Sequence, residues 1–128
     1  MLIRVLLSLF LGGMIGYERE VKYKPAGLRT HMLVCLGSTL FTILSINAFP
    51  GADPARIASY IVVGIGFIGA GTVLQTKKGV IGLTTAASLW VTASIGMAVG
   101  VGYYAIAITA AILSFLVLQL SKIEKEIR

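Results

Sequence analysis

Acidic residues are scarce in this chain: Asp and Glu number five among 128 residues. None stands between Asp53 and Glu124. That gap removes the ribose-binding acid of a dinucleotide site and the mid-span carboxylate that an ion pathway usually retains. Cysteine is equally short. Cys35 is the single one, so an intrachain disulfide and a cysteine metal cluster are both excluded, and it is read as a small packing residue. His31 is the one histidine; a metal site needs three or four donors, and this ring is read as interfacial. Serines and threonines have no general base near them in sequence, and no G-x-S-x-G elbow is present, so nothing here makes an enzyme and no cofactor is implied.

Charge of either sign is also thin. Charged residues make up 12% of the chain and apolar ones 57%, where soluble domains carry about 25% charged residues. With a mean hydropathy of +0.93, this is one integral membrane domain over residues 1–128. The net charge of +6 would suggest nucleic acid on a soluble chain. Here it suits loops held on the cytoplasmic side and anionic lipid at the surface. Arg4 followed by Val5 to Gly16 has the outline of a signal peptide. Without an A-x-A-like site, and with Glu18-Arg19-Glu20 following, it is expected to stay as a span.

Five apolar segments predict an all-α bundle of about five transmembrane helices, at roughly residues 2–17, 32–49, 57–75, 80–100 and 103–120. The first would be about 24 Å long, slightly short for a hydrocarbon core of about 30 Å. Arg19, Lys22, Lys24 and Arg29 follow span one, Lys77 and Lys78 follow span three, and Lys122, Lys125 and Arg128 end the chain. Five crossings put all of these on one side, so the N-terminus is expected outside and the C-terminus in the cytoplasm. A four-span path, in which Val80 to Leu89 dips in and returns, would separate the tail from Lys77, against the charge pattern. Glu18 and Glu20, interleaved with bases, are expected to form a solvated salt-linked patch.

Gly64-Ile65-Gly66-Phe67-Ile68-Gly69-Ala70-Gly71 contains a literal G-x-G-x-x-G. It lies inside the uncharged run Ile57 to Thr76 with no acid before Glu124, so it is read as a packing groove for neighbouring helices and not as a nucleotide loop. Gly66 and Gly69 are the expected contacts. Thr84, Ser88, Thr92, Gly96 and Gly100 recur every four residues, a second small-residue ladder facing other helices. Asp53 before Pro54 reads as a helix N-cap with Arg56 as charge partner. Asp53 is also the candidate if a cation is bound, with Asn47, Thr84, Thr85 and Ser88 as further oxygens.

Four motifs in order carry a resemblance over nearly the whole chain: Lys24-Pro25-Ala26-Gly27-Leu28-Arg29-Thr30-His31, Gly51 to Ala58, Gly64 to Thr72, and Gly82 to Trp90. The sequence resembles the transmembrane domain of the MgtC/SapB membrane protein family. The resemblance implies a multi-pass protein of the bacterial inner membrane, linked to growth in low magnesium and, in pathogens, to survival in macrophages. It further implies action on other membrane proteins, the proton-translocating ATP synthase among them. Independently of the resemblance, membrane lipid and further copies of the chain are the remaining expected partners. The alternative is a transporter or channel for Mg²⁺ or another cation. The family's polar signature falls on Glu18, Arg19, Lys24, Arg29, Asp53, Arg56, Thr84 and Thr85. Two departures stand out: virulence-type members continue into a soluble C-terminal domain where this sequence stops at Arg128, and some members have Asn in place of Thr84.

Overall fold

A computed structural model describes all residues, Met1–Arg128. The chain is all-α apart from one small hairpin: α1 (Leu2–Val21), α2 (Leu28–Asn47), α3 (Arg56–Ala70), β1 (Leu74–Thr76), β2 (Gly79–Ile81), α4 (Leu83–Gly100), α5 (Tyr104–Gln119) and a short α6 (Ser121–Ile127). Three helical stretches, Leu28–Asn47, Leu83–Gly100 and Tyr104–Ile127, are long and apolar enough to cross a membrane. The protein is a membrane protein, with large apolar side chains such as Phe10, Phe67 and Leu116 left on its outside.

Both boundaries at the α1–α2 turn differ from the sequence expectation, and α4 starts at Leu83 where the expected span begins at residue 80. The first helix runs on through Glu18-Arg19-Glu20 to Val21, because Glu, Arg and Lys are good helix formers and a change in polarity does not end a helix. It stops where Tyr23 takes a left-handed conformation (φ 55) and the Lys24 N–H returns to the Arg19 carbonyl at 3.0 Å. The second helix accordingly starts at Leu28, where the Glu20 carboxylate accepts the Leu28 N–H at 3.3 Å, and His31 lies inside it.

The third predicted span ends early. Helix α3 has 15 residues, about 22 Å of rise. The chain then folds into the antiparallel pair β1–β2, with Leu74 opposite Ile81 and Thr76 opposite Gly79. Lys77 and Lys78 form its two-residue turn. The β-branched residues Val73, Thr76, Val80 and Ile81 favour a strand, and Gly79 (φ 123) and Gly82 (φ 89) make turns open to few other residues. Uncharged sequence conceals such a hairpin, since hydropathy alone does not separate strand from helix.

Contacts set the directions. His31 meets Ser88 and Thr39 meets Gly96, so α2 and α4 run parallel. Helix α1 is antiparallel to both: Gly12 lies against His31 and Gly16 against Leu28. Arg4 donates to the Gly100 carbonyl at 2.8 Å and to the Tyr104 hydroxyl at 3.2 Å, while Lys22 reaches Ser121 at 2.9 Å, so α5 runs alongside α1. The core lies among α1, α2, α4 and α5, where Leu11, Ile15, Cys35, Ile95, Val99 and Ala107 pack together. One end of the bundle therefore holds the α1–α2 turn, the hairpin and α6. The other holds Arg4, the α2–α3 loop and the α4–α5 turn.

Candidate functional site

The last turn of α1 carries a buried ion cluster. Glu18 and Arg19 are 3% and 2% exposed. Arg19 donates through Nε to Glu18 Oε2 at 2.6 Å and through Nη2 to Oε1 at 3.1 Å; Lys22 Nζ lies 2.6 Å from the same Oε1. Lys22 also donates to the Leu118 carbonyl and to Ser121 Oγ, at 3.3 and 2.9 Å, which ties the cluster to the end of α5. The expected solvated patch is thus half wrong: Glu20 is exposed, but Glu18 and Arg19 are enclosed by the packed helices. Burial works to raise the pKa of the Glu18 carboxyl, just beyond the apolar Leu2–Tyr17 run. Hydrogen bonds and positive charge from Arg19 and Lys22 outweigh it and hold the group below its ordinary value.

A hydroxyl seam joins α2 to α4. His31, fully buried and not interfacial as its sequence position suggested, donates from Nδ1 to the Gly27 carbonyl at 2.9 Å and places Nε2 2.9 Å from Ser88 Oγ. Ser88 Oγ also lies 2.7 Å from the Thr85 carbonyl. Its single proton serves one of these acceptors at a time, so the state of the ring and the rotor of the hydroxyl are coupled. Further along, Ser38 donates to the Ala93 carbonyl at 2.6 Å and Thr39 to the Gly96 carbonyl at 2.8 Å. Thr92 and Thr42 bond back to the carbonyls of Ser88 and Ser38. No buried side-chain nitrogen or oxygen lacks a partner.

Small residues permit this approach. A Cβ on Gly96 would fall 2.5 Å from the Cys35 carbonyl oxygen, and one on Gly12 2.7 Å from the His31 carbonyl oxygen. Gly16 and Gly100 are as tightly placed against Leu28 and Thr42. The glycine run of α3 is different. Gly64 and Gly66 have nothing within 4 Å of an added Cβ, Gly71 meets only its own preceding turn, and Gly69 alone packs across, 3.5 Å from Ala86. Within this chain the packing groove expected on α3 lies instead on α1 and α4, because a glycine pattern marks where a backbone can be approached and not whether a neighbour comes.

The remaining expected residues are dispersed. Thr85 is buried while Thr84 is exposed, so the α4 ladder begins effectively at Ser88. Asp53 is not the N-cap of α3, which is Ala55. Its carboxylate instead accepts the Ala55 N–H at 2.9 Å, a local turn in which Arg56 forms no ion pair, since both salt bridges of the chain use Glu18. Lys24, Arg29 and Arg56 are exposed. Asp53 stands at the end of the bundle opposite Glu18, and no three of the chain's His, Cys, Asp and Glu residues gather as a metal-binding group. Sequence reasoning misses His31 and Lys22; a charged residue four positions after Glu18 is the available sign of the latter.

The family model described as the MgtC family matches residues 5–126, a range that takes in the ion cluster, the hydroxyl seam and the hairpin. The chain belongs to the MgtC family. YhiD of Escherichia coli K12 is 46% identical over 126 residues, covering 92% of this chain and 59% of its own length. The MgtC protein of Salmonella typhimurium LT2 is 42% identical over 112 residues (88% and 48%), and SapB of Bacillus subtilis 168 is 43% identical over 112 residues (80% and 48%). The chain spans about half the length of these relatives. No solved structure matches it. In this MgtC family member the α2–α4 seam is open to a direct test. Ser88→Ala leaves His31 Nε2 without its partner and is expected to lower stability by about 1–3 kcal/mol, the cost of an unsatisfied buried group, read as a fall in the unfolding midpoint of the purified protein in detergent.

Proposed function

We propose that this protein is a multi-pass protein of the bacterial inner membrane that acts by binding and modulating other membrane proteins, and through them ion or energy balance under magnesium limitation. The observation that carries this reading is the complete internal pairing of its buried polar groups. Glu18, the one buried carboxylate, is neutralised by Arg19 and Lys22, and the hydroxyls of α2 and α4 donate to helix carbonyls, so no buried carboxylate is left free to hold a divalent cation. Outside, by contrast, α3 and α5 offer broad apolar faces on which other spans can pack. The ATP synthase implied by family resemblance is the first partner to seek, by cross-linking in native membranes. Cation transport is the second reading; the E. coli K12 relative's name proposes magnesium transport for that protein.

Reconstituted protein is expected to give no protein-dependent Mg²⁺ flux in proteoliposomes. Flux that disappears in Asp53→Asn would overturn the modulator reading in favour of the transporter.

The proposed path has five crossings with the N-terminus outside. Nine of the eleven Lys and Arg residues lie at the end carrying the α1–α2 turn, the hairpin and α6, leaving Arg4 and Arg56 at the other, as a cytoplasmic excess requires. Cys35 is buried, so cysteines introduced at exposed positions report cleanly. An impermeant maleimide on intact spheroplasts is expected to label Asp53→Cys and spare Lys78→Cys. The reverse pattern would invert the topology.

A further inference from the structure

Between α2 and α3 lies an open apolar cleft of about 510 Å³. Leu33, Gly37 and Phe41 form one wall, and Ile61, Gly64 and Ile68 the other. Gly37 and Gly64 stand on opposite walls, and an added Cβ on either would meet nothing within 4 Å. Glycine inside a helix costs about 1 kcal/mol relative to alanine, and at these two positions the chain's own packing gives nothing in return. The space they keep free is therefore available to something from outside. The Ser38 hydroxyl, also in the wall, is already donated to Ala93.

Size and charge together select the occupant. The α3 wall from Ile57 to Ile68 rises about 16 Å, close to one leaflet's depth of acyl chain, about half of the ~30 Å hydrocarbon core. Arg29, exposed and without any side-chain partner, stands one helical turn before Leu33 at one mouth of the cleft. The chain leaving α3 at the same end carries the exposed Lys77 and Lys78 in the hairpin turn. Basic residues beside a gap between membrane helices attract anionic headgroups. We infer that the α2–α3 cleft binds an anionic phospholipid, one acyl chain lying between Gly37 and Gly64 and the headgroup phosphate meeting Arg29.

The test compares palmitoyl-oleoyl phosphatidylglycerol with its phosphatidylcholine counterpart on the delipidated protein, by native mass spectrometry and by lipid-induced rise of the unfolding midpoint. The expected result is preferential retention of phosphatidylglycerol, a preference reduced about fivefold in Arg29→Gln, as the ~1 kcal/mol per basic residue near an anionic surface implies, and unchanged in Arg56→Gln at the other mouth. Gly64→Phe is expected to abolish retention and stabilisation while the protein stays folded, and Gly66→Phe, outside the cleft, to leave both intact. Equal retention of the two lipids, or undiminished binding by folded Gly64→Phe, would overturn the inference. So would a protein dimer that excludes lipid and is broken by Gly64→Phe, which would place a second copy in the cleft.

Discussion

Leucine in place of Gly96 is expected to separate α2 from α4 and to destabilise the bundle more than any other single substitution on α4. A Cβ at this position already falls 2.5 Å from the Cys35 carbonyl oxygen and 2.8 Å from Ser38 Cβ. The obstacle on one side is backbone, which cannot rotate away as a side chain can. Overpacking a tight core typically costs about 1–3 kcal/mol, and here the shift also pulls apart the Thr39 bond to the Gly96 carbonyl and the Ser38 bond to Ala93. A loss above about 3 kcal/mol is the expected outcome, read as a collapse in monodisperse yield and a strongly lowered unfolding midpoint. Gly66→Leu is the matched control, since nothing lies within 4 Å of its Cβ position. Equal loss in the two variants would mean that α2 and α4 do not approach so closely at Gly96, or that Gly66 is covered in an assembly.

The second large effect centres on Glu18. Glu18→Gln leaves Arg19, 2% exposed, with no anion beside it. Removing one partner of a buried pair costs about 3–5 kcal/mol, whereas replacing the whole pair by apolar residues is often neutral. The double variant Glu18→Gln/Arg19→Met is therefore expected to recover much of the loss, and Glu20→Gln, at an exposed carboxylate, to cost about 1 kcal/mol or less. A single variant as stable as the wild type would show that water reaches the cluster. The cluster also has a pH signature. Because the folded Glu18 carboxyl is held below its ordinary value, its contribution is fully present above the ordinary carboxylate range near pH ~4.3 and is lost as pH falls through the lowered folded value. The unfolding midpoint of Glu18→Gln is expected to lack that acid-side decline.

Much of the architecture is readable from composition and spacing. The absence of acid between Asp53 and Glu124 and the long apolar runs point to segments in lipid, and four-residue recurrence from Ser88 to Gly100 marks the inner face of α4 correctly. The sites of failure share one cause. Charged sequence neighbours point Glu18 and Arg19 toward solvent, yet α1 continues one further turn and carries them inward. The start of an apolar run points His31 toward an interface, yet α2 begins three residues before it.

Membrane residence, the helical class, membership in the MgtC family and the gathering of basic residues at one end follow from the sequence by itself, because each depends on residue types summed along a segment. Which glycines touch a neighbour, which charges are enclosed and where a cleft stays empty depend on segments brought together from far along the chain, such as His31 and Ser88, 57 residues apart. A glycine on α3 and one on α4 look the same in one dimension. Only the approach of the Cys35 carbonyl to Gly96, and the lack of any approach to Gly64, gives them opposite roles.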